Sequence, residues 1–211
     1  PATVMRRVRR RMHLTVAESL ADYAGRLQGS EEELNALFAD LLISVTAFFR
    51  DPETFDAVAR DAVAPLFDRI EDRPDGQIRI WSVGCATGEE AYSLAILFLE
   101  EAGRRRRQVP IQIFATDIDD AALARAREGV YGPEIERDVS PERLGRFFRR
   151  HDEGWRVREE VRDMVLFARH SVIKDPPFIH IDLVACRNLM IYLDRDRSAG
   201  CCTTRSTPGV S

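Results

Sequence analysis

Residues 81–96 read WSVGCATGEEAYSLAI. An apolar, β-branched run stops at Gly84, passes through small residues to Gly88, and opens at once into an acidic start with helical spacing behind it. Strand, glycine turn and helix in that order form the first unit of an open α/β sheet, where ligands sit beyond the carboxyl ends of the strands. Glycine turns of this kind usually cradle phosphates. Here the spacing is Gly84-x-x-x-Gly88 rather than G-x-G-x-x-G, and Glu89 and Glu90 stand where a pyrophosphate would want cations. Acids also favour a helix N-terminus on electrostatic grounds alone, so neither glutamate by itself decides the ligand.

Downstream the alternation continues. Residues 78–84 form a buried strand, and 89–103 a helix with Ala91, Leu94, Ala95 and Phe98 inward. IQIFATDID (111–119) is a second strand and 120–128 a short helix; DMVLFARH (163–170) and IDLVACRN (181–188) are further strands. Strands separated by helical crossovers predict a parallel α/β sheet. RRHDEGWRVREE (149–160) reads as a small hairpin about Glu153-Gly154, and RRRR (104–107) as a solvated helix exit. Upstream, residues 4–72 are helical. Met5, Val8 and Met12 recur at helical spacing against arginines, and a second helix spans 17–28. Ser30 with Glu33 makes a capping box ahead of a stripe of Leu34, Leu37, Phe38, Leu41 and Leu42. Asp51 is the expected N-cap of the next helix, with Pro52 at its first position. The polar cluster EDRPDGQ (71–77) is the expected boundary, so 1–72 is a helical N-terminal domain with a connecting helix and 77–196 an α/β domain.

The chain of 211 residues is 45% hydrophobic and 31% charged, as soluble globular proteins are, and its net charge of −4 does not advertise nucleic-acid binding. The apolar run IDLVACRNLMIYL is interrupted by Asp182, Arg187 and Asn188, so no membrane insertion is expected. The arginine-rich start lacks the apolar stretch of a secretory signal. Cys85, Cys186, Cys201 and Cys202 form no C-x-x-C pair, which argues against a disulfide framework or a metal site and for a reducing, cytoplasmic compartment.

A glycine turn with acids beside it suits a cationic, phosphate-free adenosine ligand. S-adenosyl-L-methionine, with a sulfonium, an amino-acid end and a ribose diol, fits that description. Asp117, at the end of the second strand with Asp119 behind it, is placed to accept both ribose hydroxyls.

Four stretches in order, SVTAFFRDPETF (44–55), WSVGCATGEEAYSLAI, FATDID (114–119) and DLVACRNLMIYL (182–193), resemble the CheR-type chemotaxis receptor glutamate methyltransferases. The resemblance covers residues 4 to 196 and is closest to the form fused to methylesterase and sensor domains. It implies an all-helical N-terminal domain, then a Rossmann-like methyltransferase domain that transfers methyl from S-adenosylmethionine to receptor glutamates. The family's N-x-T-x-F-F-R motif falls on Ser44, Thr46 and Arg50, expected at the cofactor's methionine end; Ser44 replaces the usual Asn. The acid of the motif around Gly84 falls on Glu89 or Glu90, and the ribose acid on Asp117. The pair preceding KDPPF (174–178) falls on Ser171 and Val172. The C-R-N motif falls on Cys186, Arg187 and Asn188, with Asn188 lining the pocket.

Carboxyl methylation needs little acid–base help, because a glutamate of pKa about 4.3 is already ionised at neutral pH. No catalytic acid or base is expected, only positioning, with Arg50 a candidate. The basic cluster Arg6, Arg7, Arg9, Arg10 and Arg11 would steer a chemoreceptor or another acidic helical signalling protein toward a monomeric enzyme. Three rival readings exist. KDPPF resembles the D-P-P-F motif of adenine methyltransferases but precedes a strand instead of following one. An NAD-dependent oxidoreductase lacks its glycine spacing. A non-catalytic, cofactor-binding or scaffold remnant draws on the tail. Residues 197–211 carry no strand or helix pattern, and with permissible codons CCTTRSTPGV re-reads one base back as Leu-Leu-His-Tyr-Ala-Leu-Asn-Pro-Gly-Gly, close to what the family carries next. The tail is therefore expected to be unstructured and of frameshift origin, with the last strands missing and the chain poorly stable.

Overall fold

The computed structural model describes residues 2–41, 46–70 and 76–187. The tail from 197, Ser44 and Asn188 lie outside them. Two compact units, residues 1–45 and 46–211, make up the chain, and the turn cluster at 71–77 falls within the second.

The first unit holds helices α1 (Ala2–Leu14), α2 (Leu20–Gly29) and α3 (Glu31–Leu41). Ser19 caps α2 by accepting from the Asp22 amide at 3.1 Å. Ser30 accepts from the Glu33 amide at 3.1 Å, one half of the expected capping box. The Glu33 side chain serves another purpose. Its carboxylate accepts from Arg11 Nε at 3.0 Å and from the hydroxyl of buried Tyr23 at 2.7 Å, joining all three helices. Arg11's hydrogen bonds hold that carboxyl below its usual range. Arg7 donates to the Asp40 carbonyl. Arg6, Arg9 and Arg10 stand exposed. In the expected apolar stripe Leu37 is buried but Leu34 is exposed, while the side chains of Phe38, Leu41 and Leu42 lie outside the description.

The second unit opens with α4 (Pro52–Val58), which runs through a π turn at Ala59–Val63 into α5 (Ala64–Arg69). Pro65 explains the wide turn: it has no N–H to give, and its ring displaces the preceding carbonyls. Then come β1 (Ile78–Val83), α6 (Glu89–Arg105), β2 (Ile111–Asp117), α7 (Asp120–Glu128), β3 (Val130–Tyr131), a 3-10 turn (Pro133–Arg137), α8 (Pro141–Phe147), β4 (Phe148–His151), β5 (Gly154–Val157), α9 (Glu159–Arg162), β6 (Val165–Arg169) and β7 (Leu183–Ala185). The main sheet runs β6-β2-β1-β7 and is parallel throughout, as the alternating pattern predicts. The expected hairpin exists as β4–β5, but β3 joins it in a small antiparallel sheet. A two-residue strand has no periodicity to read, so β3 left no trace in the sequence pattern. Arg104 and Arg105 are not merely solvated, as the charge run implied; both pair with Glu101, and Arg105 also with Asp68.

One sheet face packs on α6, with Ile78, Ile80, Ile113 and Ala115 against a helix whose Ala91, Leu94, Ala95 and Phe98 are all buried. On the other face the register lines up Val184, Trp81, Phe114 and Leu166 across the four strands. Phe178 stacks on Phe114 at 4.9 Å and meets Trp81 edge-on at 5.2 Å. The K-D-P-P-F stretch is therefore a loop whose phenylalanine covers the sheet.

The chain enters the sheet at β1, moves outward through β2 to β6, and returns to the far side of β1 for β7. The strand order thus reverses beside β1, where open α/β sheets take their ligands. Gly88, at the head of α6, has φ 96°, and a Cβ there would lie 3.0 Å from Ala126 Cβ and 3.1 Å from Phe167 Cζ. Gly88→Ala should destabilise the fold by about 1–3 kcal/mol in denaturant titration. In the helical unit, Glu33→Ala should cost about 1–3 kcal/mol by stranding Arg11 and Tyr23. Because the folded carboxyl is held low, the Glu33 contribution is present above the unfolded pKa of about 4.3 and is lost as pH falls through the folded value. Thermal melts of both proteins across acidic pH should converge.

Candidate functional site

Hydrogen bonds within the protein hold the turn between β1 and α6. Gly84 N and Cys85 N donate to the Thr116 carbonyl at 2.8 and 3.0 Å, Ala86 N to Asp117 Oδ2 at 2.8 Å, and Gly88 N to the Cys85 carbonyl at 2.9 Å. Gly84 at φ 69° makes the sharp departure from the strand that these bonds require. Asp117 Oδ1 accepts from the amides of Ile118 (2.7 Å) and Asp119 (3.0 Å). Four loop amides are thus satisfied internally, and a pyrophosphate would find none of them to bind. What the loop offers is carboxylate. A carboxylate has about four lone-pair sites, and the three amides on Asp117 leave about one of them free.

Successive helix residues point about 100° apart, so Glu89 and Glu90 part company. Glu90 Oε1 accepts from Ser82 Oγ at 3.0 Å. Burial pushes its carboxyl up, while the Ser82 hydrogen bond and the charges of Arg187 and Arg50 pull the other way. Glu89 is buried and accepts from Thr87 Oγ1 at 2.7 Å; burial raises it too, against the opposing hydrogen bond from Thr87, and the neighbouring acids Asp138 and Glu134 add to the rise. Of the pair, Glu90 lies on the side of the arginines. Burial pushes the Cys85 thiol up, with the negative charges of Asp117 and Glu90 adding to it, so this cysteine is no nucleophile.

The segment Thr46–Arg50 is anchored by its aromatic residues. Phe48 and Phe49 are buried; Phe48 meets Tyr131 edge-on at 4.8 Å and Phe148 at 5.3 Å. Phe49 N donates to Ser93 Oγ at 3.0 Å, which donates in turn to the Glu89 carbonyl at 2.6 Å. Arg143, bidentate on Glu100, lies 4.1 Å over the Phe49 ring. These contacts dock the segment on α6, with Thr46 half-buried and Arg50 exposed. Asp51 does head α4, but at φ 59° and without a side-chain cap bond. Its carboxylate is taken by Arg187 Nη2 at 2.5 Å, while Arg187 Nη1 donates to the Arg50 carbonyl at 2.8 Å.

Ser171 and Val172 follow β6, whose exit is tied to Asp117 by His170 N donating to the Asp117 carbonyl at 3.0 Å. Ser171 sits in a turn, its amide on Asp175 Oδ2 at 2.7 Å and its hydroxyl accepting from Lys174 N at 3.3 Å. Gly84, Glu90, Asp117, Arg50 and Arg187 thus share the carboxyl edge of the sheet. Sequence reasoning missed Ser82, Thr87 and Tyr131, whose hydroxyl donates to the Thr87 carbonyl at 2.7 Å, and it read Asp51 only as a helix cap. Ser82, Asp51 and Tyr131 act on partners brought from another element, which nothing local marks, whereas Thr87 bonds Glu89 two residues on. Among the described residues no group of His, Cys, Asp or Glu could hold a metal ion, and no helix is long and apolar enough to cross a membrane.

Residues 44–202 match the family profile of the CheR methyltransferase, SAM binding domain, and residues 1–42 that of the CheR methyltransferase, all-alpha domain. An uncharacterized 104.1 kDa protein of Rhodobacter capsulatus is 40% identical over 192 residues, which are 91% of this chain and 20% of that protein. Chemotaxis protein methyltransferase 2 of Vibrio cholerae is 32% identical over 197 residues, 90% of this chain and 67% of that protein. The probable biofilm formation methyltransferase WspC of Pseudomonas aeruginosa is 36% identical over 199 residues, 92% of this chain and 45% of that protein. The chain thus spans between a fifth and two thirds of the length of these relatives. It belongs to the CheR methyltransferase family, whose all-helical and S-adenosylmethionine-binding domains it carries in order.

Proposed function

We propose that the chain directs methyl transfer from S-adenosylmethionine to glutamate side chains of chemoreceptor-type proteins, acting in the cytoplasm as a monomer. Glutamate methyl ester and S-adenosylhomocysteine are the products. The carrying observation is the β1–α6 loop, whose amides are bonded within the protein while Asp117 and Glu90 supply carboxylate. Those acceptors suit a ribose hydroxyl and a cationic amino-acid end, and they do not suit a phosphate. The names of relatives in Vibrio cholerae, Salmonella typhimurium and Escherichia coli, all chemotaxis protein methyltransferases, support the substrate class.

When bound, the cofactor supplies an electrophilic methyl group on a sulfonium. The protein's own work is placement. Asp117 accepts one ribose hydroxyl while holding the loop, and Glu90 offers negative charge toward the amino-acid end. Arg50, with Thr46 and Ser44 before it, meets the carboxylate of that end, and Ser171, Val172 and Asn188 line the adenosine side. An incoming glutamate is ionised at neutral pH and needs no base, so alignment and exclusion of water remain to be supplied. Arg6, Arg9 and Arg10 are the arginines left to meet an acidic helical partner, since Arg7 and Arg11 are bonded inside the helical unit.

Asp117→Ala should weaken S-adenosylhomocysteine binding by about 1–3 kcal/mol or more in calorimetry. Unchanged affinity would remove Asp117 from the site, and binding of NAD in place of S-adenosylhomocysteine would end the cofactor reading. Reversing Arg9 and Arg10 to Glu should lower receptor methylation in a salt-dependent way with cofactor affinity intact. Radiolabel from the cofactor should appear as base-labile carboxyl ester; label in DNA instead would decide for a nucleic-acid substrate.

A further inference from the structure

We infer that Arg187 is a positioning residue of the cofactor site: its guanidinium clamps the turn Phe49–Asp51 and so sets where Arg50 stands. The inference rests on the cofactor reading above, in which Arg50 meets the methionine end, and it assigns Arg187 a task other than ligand contact.

The turn is a strained part of the site, as is Ala86 in the glycine loop at φ 47°. Phe49 has φ 48° and Asp51 φ 59°, left-handed values that residues other than glycine keep only where their surroundings hold them. Phe49 is held by its burial and by the Ser93 hydroxyl. Asp51 makes no side-chain bond to the helix it begins. It is held from 136 residues away, by Arg187 Nη2 on its carboxylate. The same guanidinium donates through Nη1 to the carbonyl of Arg50 and lies 5.2 Å over the ring of buried Phe55. One planar fork thus grips a carbonyl and a carboxylate on consecutive residues, with an aromatic face beneath it.

The grip falls on the backbone of Arg50, the point from which that side chain leaves, and the charges of both arginines act on Glu90. Arg187 follows β7, the neighbour of β1 on the side where the strand order reverses. The clamp therefore ties the turn carrying Arg50 to the strand pair flanking the ligand position. A lysine could supply the charge but not the fork, because an ammonium does not present two parallel donors in a plane.

The test uses the full chain and two readouts. Hydrogen exchange over residues 46–51 is followed in the cofactor-free protein, and S-adenosylhomocysteine affinity is measured by calorimetry. Arg187→Ala should speed exchange and weaken binding roughly tenfold, about 1.4 kcal/mol. Arg187→Lys should do nearly the same. Asp51→Asn, which keeps a residue tolerant of the left-handed backbone, should weaken binding less and add little on top of Arg187→Ala. A lysine variant with wild-type affinity would reduce Arg187 to a charge and overturn the clamp. So would additive losses, or weakened binding with unaltered exchange, because each makes Arg187 a direct ligand; the cofactor reading would survive these results. Faster exchange in a chain whose unmodified form binds no S-adenosylhomocysteine would instead overturn the cofactor reading, and the positioning role with it.

Discussion

Asp117 joins the carboxyl ends of two neighbouring strands through one side chain. Its Oδ2 holds the Ala86 amide of the β1 loop, and its Oδ1 holds the two amides that turn β2 toward α7. Without an acceptor there, three amides at the crevice would lose their partner, at roughly 1–3 kcal/mol each where water is excluded. The rest of the carboxyl edge depends on that tie. It sets the path of the glycine turn, and hence the start of α6, where Glu90 projects, and the place from which Ser93 reaches Phe49. Under the proposed function the same residue would meet the ligand and build the loop, so its removal would act on affinity and stability together.

Arginine is used here in two distinct ways. Several of the arginines in the described contacts serve as forks: Arg11 on Glu33, Arg143 on Glu100, Arg105 between Glu101 and Asp68, and Arg187 across Arg50 and Asp51. Several also cover an aromatic ring, as Arg143 does Phe49 and Arg187 does Phe55. Planar guanidinium suits both tasks, and lysine suits neither. Arg6, Arg9 and Arg10 remain solvated on α1 and carry the field that an acidic partner would meet. Charge counting along the sequence cannot separate these two populations.

The aromatic pair Phe48–Phe49 divides the labour of its motif in a similar way. The polar residues around it draw attention as ligand contacts, but the two buried rings dock the segment onto α6 and the small sheet. A left-handed backbone at Phe49 and Asp51 is the consequence: both rings must turn inward while the chain leaves toward α4. Arg187 then supplies from β7 the grip that local sequence does not.

Periodicity and punctuation in the sequence alone determined the helical start, the parallel sheet, the helix 120–128 at both its ends, and the place of the crevice. Those features follow from local rules: apolar spacing, glycine at a left-handed turn, and strand ends facing ligand in this architecture. The tertiary structure decided what each polar side chain does there. It sent Glu33 to Arg11 and Tyr23 rather than to its own helix cap, and gave Asp51 to Arg187 rather than to α4. It also set Ser82 and the two arginines beside Glu90, and brought β3 to pair with β5. In each case the deciding partner lies on another element. A hydrogen bond across such distances depends on the packed geometry of both elements, and no local spacing in the chain encodes it.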